Sequence, residues 1–276
     1  MVLFKKVVIL GTGLIGGSLG LALKEKRLAG KVLGLSRSRK NALLAKKIGA
    51  IDQPIFSLSE VSSADLVILA APVKTIIELG GKIPGFLNKD CVVIDVASTK
   101  EAVVRSLSNV LPNFLGCHPL AGSENRGIIF ARKDLFKGSL CILTPDKNTK
   151  SAVLKKVKLL WKKLAVSCVV MPAKKHDQIL AFTSHLPHAV AFSLNLAVPD
   201  QYLKFCAGSF KDTTRIALSD ACLWSQIFLS NPKYLLQAIT NFQRNLAGLK
   251  SAIKNEDQIK LVKILLKSNK KDKSIK

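Results

Sequence analysis

The chain has 276 residues, room for one large domain or two ordinary ones, and its 48% hydrophobic content excludes a largely disordered protein. The formal net charge is +25, yet the lysines are spread in pairs such as Lys46-Lys47, Lys155-Lys156 and Lys162-Lys163. That spread favours a solvated lysine-rich surface that steers anionic substrates, with no nucleic-acid site. Six cysteines, at 91, 117, 141, 168, 206 and 222, show neither CxxC nor zinc spacing and fit thiols in a reducing cytoplasm.

Residues 7–10 read as a β run that meets Gly11, with a helix over 14–25. Lys5-Lys6 followed by the apolar stretch 7–23 imitates a signal peptide or anchor. Five glycines interrupt that stretch and Lys24-Glu25-Lys26-Arg27 ends it, so neither a leader nor a membrane span is expected. Strands follow at 32–35, 66–70 and 91–96, with helices at 41–48 and from 73 to 79. This alternation implies right-handed βαβ units and a parallel sheet. Residues 113–145 change character: Cys117-His118-Pro119 starts a glycine-containing loop, and a strand is expected at 139–144. A helix over 152–164 and a strand at 166–171 close the series, and from Lys174 to about Leu266 the pattern is helical. The expected fold class is α/β, a Rossmann-type parallel-sheet domain (1–173) followed by an all-α substrate and dimerisation domain (174–276).

The sequence Gly11-Thr12-Gly13-Leu14-Ile15-Gly16 lies between a strand and a helix, as a dinucleotide site requires. One glycine makes the turn, the next admits the pyrophosphate and the third lets helix and strand close up. The second strand runs into Ser36-Arg37-Ser38-Arg39, where an NAD site normally places a carboxylate. Ser36, Arg37 and Arg39 could bind a 2′-phosphate, which favours NADP over NAD; the alternative is two arginines on a solvated loop. Ala71 and Pro72, ending the third strand, complete the expected cofactor-binding set.

Four histidines occur: His118, His176, His185 and His188. No metal-binding spacing accompanies them. Ser184-His185-Leu186-Pro187-His188 reads as a helix start, with Ser184 or His185 near the cap and Pro187 in the first turn, close to a positive helix end.

The segments His118-Pro119-Leu120-Ala121-Gly122-Ser123-Glu124, His176-Asp177 with 184–188, 208–217 with Arg215, Leu223-Trp224 and 95–100 resemble, in order, the prephenate/arogenate dehydrogenase family. The resemblance implies oxidative decarboxylation of prephenate or arogenate in tyrosine biosynthesis. It implies that His118 accepts the hydroxyl proton and Ser98 orients that hydroxyl. Arg215 would hold the ring carboxylate and His188 the side-chain end. Ser123 would line the pocket, Glu124 would gate it, and His185 is a further substrate-binding candidate, whereas His176 is expected to be structural or an interdomain contact. The family pairs two subunits through the helical half, for which 181–196 and 235–253 are apolar enough. No regulatory domain is expected after it, so tyrosine feedback would act at the active site. The alternatives are another Rossmann-plus-helical NADP reductase of a hydroxy acid or imine, or a non-enzymatic nucleotide sensor or nucleic-acid-binding protein.

Overall fold

Runs that are apolar at every position form strands buried on both faces. In a computed structural model, which describes residues 2–123 and 125–273, the strands are β1 (Phe4–Leu10), β2 (Ala29–Leu35), β3 (Gln53–Ile55), β4 (Leu66–Leu69), β5 (Val92–Asp95), β6 (Phe114–Pro119), β7 (Leu140–Thr144) and β8 (Ser167–Val170). They form one sheet in the order β3-β2-β1-β4-β5-β6-β7-β8. Pairing is parallel from β3 to β6; β7 runs antiparallel to β6, and β8 is parallel to β7.

The pleat divides the core in two. Val7 and Ile9 join Leu66 and Ile68 on one face, beneath α1 (Leu14–Glu25), α2 (Arg39–Lys47) and α5 (Ser151–Lys163), whose Leu19, Leu23, Ala45, Val157 and Trp161 cover them. Val8 and Leu10 join Val67, Leu69 and Val93 on the other, under Val73, Ile76, Val103 and Leu107 of α3 (Val73–Lys82) and α4 (Glu101–Leu107). Each such buried aliphatic side chain contributes about 1.5–3 kcal/mol. A one-residue register slip would exchange the two faces, so the register is tightly specified.

β3 and β6 are absent from the sequence expectations. Pro54 sits in the three-residue β3, where the sheet edge tolerates a missing donor. β6 contains Gly116 and Pro119 and no β-branched residue, so its strand geometry comes from pairing between β5 and β7. His118 therefore lies in a strand and not at the start of a loop.

Beyond the sheet, α6 (Ala173–Leu180) runs through a π turn, Ala181–His185, directly into α7 (Leu186–Ala197). This corrects the expected helix start: His185 has φ −69° and ψ −44°, and neither Ser184 nor His185 caps a free end. Pro187 lies in the first turn of α7, and the widened turn accommodates its missing N–H. α8 (Gly208–Thr214) and α9 (Ala221–Ser230) follow. Strands cease at Pro172, but by contacts residues through Asn231 form one compact unit. The second unit starts at Pro232 and holds α10 (Pro232–Lys254) packed on α11 (Gln258–Asp272). Leu236, Leu246, Ile253, Ile259, Val262, Leu265 and Leu266 are exposed there. No helix among the described residues is long and apolar enough to cross a membrane.

Candidate active site

Strand order reverses between β1 and β4, and ligands of open α/β sheets bind outside the carboxyl ends of strands at such a point. A cleft of about 880 Å³ opens there, bounded by the ends of β1, β4, β5 and β6 and by residues of α7 and α9.

At β1, Gly11 has φ +109°, and a Cβ on it would lie 2.3 Å from the Ala70 carbonyl oxygen. Gly16 is as tightly placed, 2.0 Å from the Gly11 carbonyl oxygen. Gly13 differs: nothing lies within 4 Å of its Cβ position, and it lines the cleft with Leu14 and Ile15. No side chain caps α1, so a backbone cradle with leading helix amides faces the cleft and fits a pyrophosphate. Thr12 is buried behind it. Ala71, Pro72 and Arg37 also line the cleft. Ser36 and Arg39 are not part of that lining: Ser36 is half-buried at the end of β2, and the Arg39 guanidinium sits 5.2 Å from the Phe56 ring centroid.

Ser98 reaches the cleft on the turn after β5. Asp95 shapes this turn by accepting a hydrogen bond from the Ala97 amide (2.9 Å) and pairing with the Lys100 ammonium. Both charged side chains are fully buried. Burial pushes the Asp95 carboxyl up; Lys100 opposes it.

His118 enters the cleft from the end of β6. Its Nδ1 lies 2.8 Å from His176 Nε2, and His176 Nδ1 lies 2.7 Å from Asp177 Oδ1. Asp177 in turn accepts the amides of Lys100 (2.7 Å) and Glu101 (2.9 Å) at the head of α4. Burial, then the neighbouring charges of His176 and Lys100, push His118 well below the ordinary imidazole value. His176 is also lowered by burial, with Asp177 opposing.

On the far wall His188 stacks on Trp224, with ring centroids 3.4 Å apart and 19° between planes. Its Nδ1 donates to the Ser184 carbonyl (3.0 Å), and burial lowers its pKa. Arg215 and Ser123 line the same cleft; Glu124 lies outside the described residues. The structure thus brings Ser98, His118, Ser123, His188 and Arg215 together.

His185 is corrected. It is 1% exposed, accepts a hydrogen bond from Asn231 Nδ2 (3.2 Å) at Nδ1, and packs edge-on to Trp224 behind the cleft. Both imidazoles pack against Trp224, His185 by its edge and His188 by stacking, but only His188 is in the cleft lining. Sequence reasoning missed Arg126 and Asp220, an ion pair on the cleft wall that joins the loop after β6 to the cap of α9. No single-sequence signal marks such a pair, since its partners lie 94 residues apart.

Two family models match the chain: "Prephenate dehydrogenase, nucleotide-binding domain" over residues 19–170 and "Prephenate dehydrogenase, dimerization domain" over 172–267. The prephenate dehydrogenase of Bacillus subtilis is 34% identical over 91% of this chain and 71% of its own length. The cyclohexadienyl dehydrogenase of Zymomonas mobilis is 33% identical over 93% and 91% respectively. Among solved structures, prephenate dehydrogenase from Aquifex aeolicus in complex with hydroxyphenyl propionate and NAD+ superposes with a TM-score of 0.93, at 35% identity, over 99% of this chain and 98% of that one.

Proposed function

The chain belongs to the prephenate dehydrogenase family, and on that premise we propose that prephenate or arogenate binds in this cleft and loses its ring-hydroxyl proton to His118. The chain is an oxidoreductase of NAD(P)-dependent oxidative decarboxylation in tyrosine biosynthesis. The observation that carries the reading is the placement of His118, Ser98, His188 and Arg215 on one cleft that continues into the Gly13 cradle.

A dinucleotide held by the Gly11–Gly16 cradle would supply the hydride acceptor for the ring carbon that bears the hydroxyl. His118 takes the hydroxyl proton through Nε2, while Ser98 orients the oxygen by a hydrogen bond. Loss of CO2 from the opposite ring carbon leaves a phenolate, to which the imidazolium returns the proton. A neutral imidazole is the form that can act as a base, and the depressed His118 pKa keeps it neutral near pH 7. Arg215 pairs with the ring carboxylate, and His188, fixed against Trp224, holds the side-chain end. Ser123 lines the opening.

NADP is the preferred cofactor in this reading: no carboxylate follows β2, and Arg37 on the cleft lining supplies a cation for the 2′-phosphate. A homodimer assembles through the helical part, covering the exposed apolar side chains of α10 and α11. Steady-state assay of prephenate and arogenate, each with NADP and NAD, tests the whole reading. Turnover of at least one substrate with a preference for NADP is expected, and inactivity in all four combinations would overturn it.

A further inference from the structure

Resting on the reading of His118 as proton acceptor, we propose that His176 and Asp177 are positioning residues: they lock the His118 ring in the tautomer with Nδ1 protonated and Nε2 open, and the Asp177 carboxylate supports the cation formed when Nε2 takes the proton.

A carboxylate can only accept, so the hydrogen between Asp177 Oδ1 and His176 Nδ1, 2.7 Å apart, belongs to His176. His176 is 0% exposed, and a second proton would make it a buried cation against His118, so its Nε2 carries a lone pair. Across the 2.8 Å contact His118 Nδ1 must then be the donor. Its second nitrogen is left unprotonated, the form that a general base requires.

Asp177 is well fixed for this role. Its two oxygens accept from the amides of Lys100 and Glu101, and its carbonyl accepts from Asn231 Nδ2 (2.8 Å). Besides His176 its bonding partners are neutral amides. The charged and titratable groups around the two imidazoles are Asp177 on α6, Asp95 and Lys100 on the β5–α4 turn, and His185 on the π turn. Asp95 and Lys100 form a buried pair whose charges offset one another. The net anion felt along the His118–His176 line is therefore Asp177. It lies one ring away from the forming imidazolium, so it stabilises the cation without becoming the proton's destination.

Three variants and one spectrum test this. His176→Leu deletes the acceptor, His176→Gln restores an amide oxygen to accept from Nδ1, and Asp177→Asn removes the charge with little change of shape. In His176→Leu and Asp177→Asn, kcat should fall by about 10²–10⁴-fold while substrate KM changes by less than about threefold. The acid limb of the kcat–pH profile should move to lower pH by about one unit, because the imidazolium loses its support. His176→Gln should recover part of kcat. A residue serving only packing would lower the melting temperature without moving the acid limb. In ¹⁵N-histidine spectra of the wild-type protein, which has four histidines, His118 should carry its proton on Nδ1.

An Nε2-protonated His118 in the wild type overturns the proposal even if the variants fail to fold. So does a folded His176→Leu protein that binds dinucleotide and keeps wild-type kcat and acid limb. His118→Asn in the same assays separates the two claims: if it is active, the base reading falls; if it is inactive while His176→Leu is normal, only the positioning role falls.

Discussion

Replacing Lys100 with Met leaves a carboxylate with no cation in the centre of the protein. Lys100 and Asp95 are both 0% exposed, and Asp95 Oδ1 already lacks a hydrogen-bond partner among the described residues. After the substitution backbone amides, chiefly that of Ala97 on the other oxygen, are left to support the carboxylate. Removing one partner of a buried pair costs about 3–5 kcal/mol, mostly the penalty of the orphaned charge. In a unit of this size each kcal/mol lowers Tm by roughly 2–4 °C, so Lys100→Met should melt about 6–20 °C below wild type. Adding Asp95→Asn removes the stranded charge and should recover much of the loss. The pH dependence has a definite sign. Without Lys100 the native pKa of Asp95 rises further above its unfolded value, so the native state binds the extra proton. The deficit is then present in full above the native pKa and shrinks as pH falls through it. Calorimetry from pH 7 to 5 on both variants reads this out. A Lys100→Met protein melting at the wild-type temperature, or a double mutant no better than the single, would refute the reasoning.

Ser36→Asp should place a carboxylate against a 2′-phosphate and lower the NADP/NAD ratio of kcat/KM by about tenfold or more; an unchanged ratio contradicts the cofactor preference. Arg215→Lys replaces a planar two-pronged donor by a point charge and should raise substrate KM by about 10–100-fold with folding intact, as steady-state kinetics will show. Burial lowers His185 to a pKa of about 4, so the native state binds fewer protons than the unfolded one between that value and roughly 6.5. Stability should fall on acidification across that window, and His185→Gln should flatten the urea-unfolding free energy against pH by up to one proton.

The parallel series was legible because runs such as 66–69 and 92–94 are apolar at every position, and the glycine turn because close approach at Gly11 and Gly16 admits no side chain. β6 was not legible, since Phe-Leu-Gly-Cys-His-Pro owes its extended form to its neighbours in the sheet. The helix start at Ser184 was misread because Pro187 signals a first turn in isolation, and nothing local shows that α6 continues into it through a π turn. His118, Arg215 and His188, which line one cleft, were singled out through their motifs, yet the partnership of His118 with His176 spans 58 residues and needed the fold. Cofactor residues divide similarly. Arg37 reaches the lining, but the turn of Arg39 onto Phe56 depends on β3, a strand too short to read.

The central claim is that an unprotonated nitrogen on His118 removes the ring-hydroxyl proton. Single-turnover assay of His118→Asn, saturated with cofactor and with prephenate or arogenate, examines it most directly. The expected result is a rate lower by about 10²–10⁴-fold with dinucleotide affinity nearly unchanged. A rate within a fewfold of wild type would contradict it.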